Sequence, residues 1–261
     1  MRQLTFIAPK QIEWQDTPEP ALEGPGQALV RPLAVALCDL DRAVIRGRVP
    51  APGPFPLGHE CVAEVLAAGD DVRSVAPGDR VVVSFQISCG ACDRCARGLT
   101  GSCATVAPYA MYGLPLGGIW GGMLSDVLRV PYADAMLVRV PGGIDPVTIA
   151  SASDNIPDGW RTVGPPLAAH PGASVLIVAG GAGSIGLYAA GCAVALGAAS
   201  VDYLDDDADR LAIAKQLGAN AIEHHGERRR MGPYPVTVDA SADPEGLGLA
   251  IRATEPGGIC T

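Results

Sequence analysis

Four cysteines, Cys89, Cys92, Cys95 and Cys103, stand in the order C-x2-C-x2-C-x7-C. Zinc takes four soft or borderline ligands at tetrahedral corners, and two-residue gaps let one tight turn wrap several thiolates around a single ion. Gly90, Gly98 and Gly101 supply the backbone freedom such a wrap needs. With every corner filled by protein no position remains for water, so an ion held there is structural. An iron–sulfur cluster is the competing occupant. Further along, Gly181-Ala182-Gly183-Ser184-Ile185-Gly186 spells G-x-G-x-x-G. Glycines at those places let the backbone approach a pyrophosphate, and a helix starting there presents the positive end of its dipole. Asp205 lies 19 residues after Gly186, where a carboxylate accepts hydrogen bonds from an adenosine ribose. Asp206 and Asp207 follow, and three carboxylates repel a 2'-phosphate, which favours NAD over NADP. Asp207 and Asp209 also read as a solvated turn leading into a helix cap.

These motifs need elements to hold them. The first half carries short strand-like runs, such as residues 28–37, 60–67 and 80–84, broken by Pro and Gly, and reads as an irregular, mostly β domain. From about Val163 the pattern becomes apolar strand, glycine turn, Ala-rich helix and strand again, the grammar of βαβ units on a parallel sheet. Strands are expected at residues 174–179, 200–204, near Ala221, at 235–239 and at 258–261. Helices are expected at 185–196, 208–217 and 244–253. The domain division falls at residues 1–155 and 156–261, with the last sheet lacking its edge strand and closing helix.

Composition narrows the function further. The 261 residues include 19 basic and 28 acidic ones, a formal charge of -9, which argues against a nucleic-acid or anionic-membrane surface. Arg228, Arg229 and Arg230 form the sole basic cluster and read as a solvated loop. No charged residue occurs from 162 to 201, but Pro165, Pro166, Pro171 and several glycines break that stretch, so it is not a membrane span. The amino terminus lacks the apolar centre of a secretion signal, making a cytoplasmic location the expectation. In that compartment eight cysteines are not a disulfide framework.

Taken alone, Cys38 and His59 are unremarkable. With Cys38-x-x-Asp41, Gly58-His59-Glu60, the four-cysteine knot and the glycine fingerprint in this order, the chain resembles the zinc-containing medium-chain dehydrogenases along essentially its whole length. The resemblance implies an α/β fold, an irregular GroES-like catalytic domain followed by an incomplete Rossmann sheet. It implies a second, catalytic zinc on Cys38, His59 and a third ligand. The segment Ser153-Asp154-Asn155-Ile156-Pro157-Asp158-Gly159-Trp160 is similar to the one supplying Asp in the formaldehyde-dehydrogenase-like branch, which implies Asp154; Val130-Pro131-Tyr132-Ala133-Asp134 is similar to that branch too. Three protein ligands leave a fourth position for water or substrate oxygen. By the same resemblance Asp41 fixes the tautomer of His59, Glu60 stands beside the ligands, and Arg210 contacts the cofactor ribose. The implied reaction moves hydride between an alcohol, polyol or aldehyde and NAD, in a homodimer or homotetramer when full length. Two departures stand out: Leu40 occupies the place where relatives carry Ser or Thr, and Ala43 the place of a frequent His. Both interrupt the usual proton relay, leaving Glu60, Asp39 or water. Leu40 and the abrupt carboxyl terminus motivate a second reading, a zinc-stabilised nucleotide binder without turnover. Leu40, Trp120, Ile156 and Trp160 line either a substrate pocket or plain core.

Overall fold

The computed structural model describes residues 1–225 and 231–261, so the three arginines at 228–230 lie outside the described residues. The chain forms two compact units, Met1–Asp154 and Asn155–Thr261.

In the first unit the order is β1 (Arg2–Ala8), β2 (Gln11–Asp16), β3 (Ala28–Ala36), α1 (Asp39–Ile45), β4 (Phe55–Pro56), β5 (Glu60–Ala68), β6 (Arg80–Val83), α2 (Asp93–Ala96), β7 (Leu128–Val130), α3 (Ala133–Met136) and β8 (Leu137–Arg139). The main sheet is antiparallel in the order β7-β3-β5-β6-β8. Period-2 alternation sends Val30, Val81 and Val83 inward to meet Tyr112, Met123 and Met136. A smaller sheet, β2-β1-β4, closes over Phe6 and Phe55, whose rings stack with centroids 4.8 Å apart. Asp134 is tied into this unit as a loop clamp, accepting from the Ser74 amide and hydroxyl, which holds its carboxyl below the usual range.

The second unit runs α4 (Asn155–Ala169), β9 (Val175–Ala179), α5 (Gly183–Ala195), β10 (Val201–Asp205), α6 (Ala208–Gln216), β11 (Asn220–Glu223), β12 (Tyr234–Ala240), α7 (Pro244–Ala253) and β13 (Thr254–Cys260). All five strands are parallel in the order β11-β10-β9-β12-β13. Numbered within the unit this is 3-2-1-4-5, the Rossmann order. β9 is apolar on both faces because both are covered: Val175 and Ile177 meet residues of α4 and α5, while Leu176 and Val178 meet α7.

Two features depart from expectation. The proline-rich run at 165–166 does not break the chain; α4 carries Pro165 and Pro166 inside it. Proline deletes a helix hydrogen bond each time. The helix persists because Val163 and Leu167 bury against the sheet and Gly159 lets α5 close in, a Cβ at Gly159 falling 2.6 Å from the Tyr188 Cβ. β13 begins at Thr254, directly after α7, and slips register between Tyr234↔Thr254 and Val236↔Ile259. Gly257, at φ +82°, supplies the irregular turn within it. No helix among the described residues is long and apolar enough to cross a membrane.

Candidate metal centres and nucleotide site

The first cluster is built at the start of α1. Cys38 is its N-cap, extended at φ -109° and ψ -177°, and its Sγ accepts the Leu40 N–H at 3.3 Å. The Cys38 N–H donates to Asp41 Oδ2 at 3.0 Å, while Asp41 Oδ1 lies 3.3 Å from His59 Nδ1. Asp41 therefore ties the helix cap to the imidazole. His59 sits between Gly58 and the first residue of β5; Gly58 is at φ +94°, and a Cβ there would lie 2.8 Å from the Leu124 amide nitrogen. The other ring nitrogen, Nε2, stands 3.4 Å from Cys38 Sγ and 3.4 Å from Asp154 Oδ2.

Those separations fit zinc. Bonds of about 2.3 Å to sulfur and about 2.1 Å to nitrogen and oxygen, at tetrahedral angles, place ligand atoms about 3.4–3.6 Å apart. Glu60, fully buried, joins the set, and the ligand atoms of Cys38, His59, Glu60 and Asp154 all lie within 4.8 Å of one another. In the metal-free chain burial pulls the His59 pKa down, but the hydrogen bonds with Asp154, Asp41 and Cys38 outweigh it and push it up to about 12.

At the knot, Cys92 Sγ and Cys89 Sγ lie 3.9 and 3.6 Å from Cys103 Sγ, against the roughly 3.8 Å between corners of a zinc–thiolate tetrahedron. Donors point at the sulfurs: the amides of Cys92 and Ala104 reach Cys89 Sγ and Cys92 Sγ at 3.4 Å, and the Thr105 hydroxyl reaches Cys89 Sγ at 3.2 Å. The Thr105 hydroxyl leads in lowering Cys89 and the Ala104 amide in lowering Cys92. Burial opposes the shift at Cys103, yet the Cys89 and Thr105 amides bring it to about 7. Thiolate is the form that binds metal. Sequence reasoning missed Thr105; its one visible signal is a hydroxyl two residues past the last cysteine.

In the second unit α5 starts at Gly183, with Ala182 as its N-cap and no side-chain cap hydrogen bond. Gly186 packs α5 onto the sheet, its missing Cβ standing 3.3 Å from the Ala240 methyl. Gly181, Gly183, Ser184, Ile185 and Gly186 thus lie at the carboxyl end of β9, and Ser184 Oγ reaches Asn155 Oδ1 at 3.4 Å. A cavity of about 1360 Å³ opens beside Gly180, Asp205, Asp206, Ser241, Glu245 and Arg252. Asp205 ends β10 with its side chain wholly buried, paired through two 2.6 Å bonds to Arg210. Burial raises its pKa, and the Arg210, Asp207 and Tyr203 hydrogen bonds bring it below the usual carboxylate range. Asp207 is the N-cap of α6, accepting from the Arg210 amide.

The residues proposed for a pocket divide. Leu40 packs with Phe6, Val44 and Phe55, and Trp120 packs against the main sheet with Nε1 donating to the Gly117 carbonyl. Trp160 is half exposed at 48%.

An antiparallel, irregular β unit with two cysteine-bearing clusters, joined to a Rossmann unit with a glycine turn at the carboxyl end of β9, defines a zinc-type dehydrogenase architecture. Residues 24–142 match the alcohol dehydrogenase GroES-like domain family. The chain is 35% identical over 233 residues to a glutathione-independent formaldehyde dehydrogenase of Pseudomonas aeruginosa, covering 83% of this chain and 57% of that protein. It is 31% identical over 227 residues to a medium chain reductase/dehydrogenase, ucsI, of Acremonium sp., covering 85% of this chain and 76% of that protein. It also superposes on alcohol dehydrogenase TADH of Thermus sp. ATN1 with a TM-score of 0.86 and 28% identity, over 100% of this chain and 76% of that one. The chain belongs to the zinc-containing medium-chain dehydrogenase/reductase family. It spans a little over half the length of the Pseudomonas relative.

Proposed function

We propose that this protein is a zinc-dependent oxidoreductase that transfers hydride between a small alcohol, polyol or aldehyde and NAD, with residues 1–154 as the catalytic unit and 155–261 as the nucleotide-binding unit. The observation that carries the reading is the convergence of Cys38 Sγ, His59 Nε2 and Asp154 Oδ2 at zinc-ligand separations. The donor set, one thiolate, one imidazole and one carboxylate, fits zinc better than magnesium or calcium, which prefer oxygen alone. The four cysteines of the knot would hold a structural zinc.

When bound, zinc would supply Lewis acidity at an alcohol oxygen and the nicotinamide would accept the hydride. The protein's own groups do the positioning. Asp41 takes the Nδ1–H of His59, so that Nε2 keeps its lone pair for the metal. Leu40, partly buried against the Phe6 and Phe55 cluster, offers no hydroxyl there, and the Glu60 carboxylate is our choice for passing the alcohol proton outward. The acidic Asp205–Asp207 corner supports NAD over NADP, and the family resemblance supports a homodimer or homotetramer.

Incubation with NAD or NADP and a panel of alcohols, polyols and aldehydes tests the reading. NADH formation is expected, falling about 10³-fold or more in His59→Ala, the several kcal/mol a Lewis acid contributes; Glu60→Gln should displace the pH–rate profile. Nucleotide binding with no reduction by any alcohol would instead favour a non-catalytic nucleotide binder.

A further inference from the structure

Asp154 closes the first unit and Asn155 opens the second, so the candidate metal ligand and the first residue of α4 share a peptide bond. Asn155 is an uncharged amide with 4% of its surface exposed, and the Ser184 hydroxyl donates to its Oδ1 at 3.4 Å. Ser184 is the second residue of α5 and stands in the glycine turn, where a pyrophosphate is expected. The hydrogen bond therefore joins the start of one helix to the start of the other.

One turn further along, the same two helices meet again. Gly159 lies four residues after Asn155, and Tyr188 four residues after Ser184, the spacing that puts each pair on one helix face. A Cβ at Gly159 would lie 2.6 Å from the Tyr188 Cβ and 2.8 Å from the Ala189 backbone nitrogen. The start of α4 has no room to slide against α5, and so close a contact passes a displacement on instead of absorbing it. An anion that orders the glycine turn fixes Ser184, and through it Asn155 and the adjoining Asp154. Less ordering is then left for a metal to impose on Asp154, so the two sites favour each other.

We propose that Asn155 is a positioning residue that couples occupancy of the glycine turn to metal retention on Cys38, His59 and Asp154. The coupling rests on the zinc- and nucleotide-dependent reading above. It is reciprocal: the factor by which the turn's ligand tightens the metal equals the factor by which the metal tightens that ligand.

Chelator competition, with and without ADP-ribose, gives the zinc affinity of the open cluster, identified as the ion that a Cys38→Ala control does not retain. ADP-ribose carries the pyrophosphate but no nicotinamide, so a change in affinity has to travel through the protein. In the wild type it should tighten zinc about fivefold or more. Asn155→Ala and Ser184→Ala should each bring that factor close to one while still binding zinc and ADP-ribose separately. Wild-type binding of both with no mutual effect overturns the proposal and leaves the dehydrogenase reading standing. A wild-type factor that survives in either variant overturns it as well. If the wild type binds no ADP-ribose, or no zinc beyond the ion of the knot, the functional reading itself fails and takes the proposal with it. Should the buried Asn155→Ala variant not fold, the partly buried Ser184→Ala variant removes the same bond and decides alone.

Discussion

Asp41 holds the cap of α1 with one oxygen and His59 with the other, so helix start and ligand orientation are one interaction. This couples metal to protons. In the metal-free chain His59 is held as imidazolium, its pKa pushed up to about 12 by the Asp154, Asp41 and Cys38 contacts that outweigh desolvation. The folded value lies above the unfolded one, so this stabilisation is full below about pH 6.5 and is lost only as pH rises through about 12. Zinc must displace that proton, and its affinity should rise about tenfold per pH unit for each proton released. Competition titration with a chelator between roughly pH 6 and pH 8 checks this; a flat profile would contradict the ligand assignment. At this scale much was legible, because the knot announces itself by spacing and the order of motifs resembling the family singled out Cys38 and His59. The engagement of Asp205 was not, since its partners Tyr203 and Arg210 flank it with unremarkable spacing and meet it only when β10 and α6 fold.

Among the elements, α4 was the least legible: Pro165, Pro166 and its glycines read as breakers, and only burial against the sheet and α5 sustains it. Two glycines separate propensity from packing. Replacing Gly by Ala in a helix gains about 0.5–1 kcal/mol from propensity. A Cβ at Gly159 would meet the Tyr188 Cβ at 2.6 Å and the Ala189 backbone nitrogen at 2.8 Å, an overpacking that costs about 1–3 kcal/mol. At Gly191 the nearest atoms are Leu217 methyls at 3.6 and 3.7 Å, ordinary contact. Gly159→Ala should therefore lower the Tm and Gly191→Ala should hold or raise it, as read by thermal unfolding. A rise in both would mean that α4 and α5 are not in close contact. α7 was readable because its start signal agrees with its periodicity, beginning at Asp243-Pro244 with Asp243 accepting the Glu245 amide.

For the whole molecule, the order of motifs carried the family and the alternating strand and helix patterns carried the parallel sheet, whose strand order 3-2-1-4-5 only the structure supplies. The separations among cluster atoms could not be read from the chain, because Cys38, His59 and Asp154 come from three distant segments. They decide between one metal ion and two. Zinc content per chain, measured for the wild type and for Asp154→Ala by elemental analysis with sulfur and nitrogen ligation read from X-ray absorption, is the most direct test. Two zinc ions in the wild type, and one all-sulfur ion remaining in the variant, is the expected result. One ion in both, or loss of the all-sulfur ion when Asp154 is changed, would contradict an open zinc site on Cys38, His59 and Asp154.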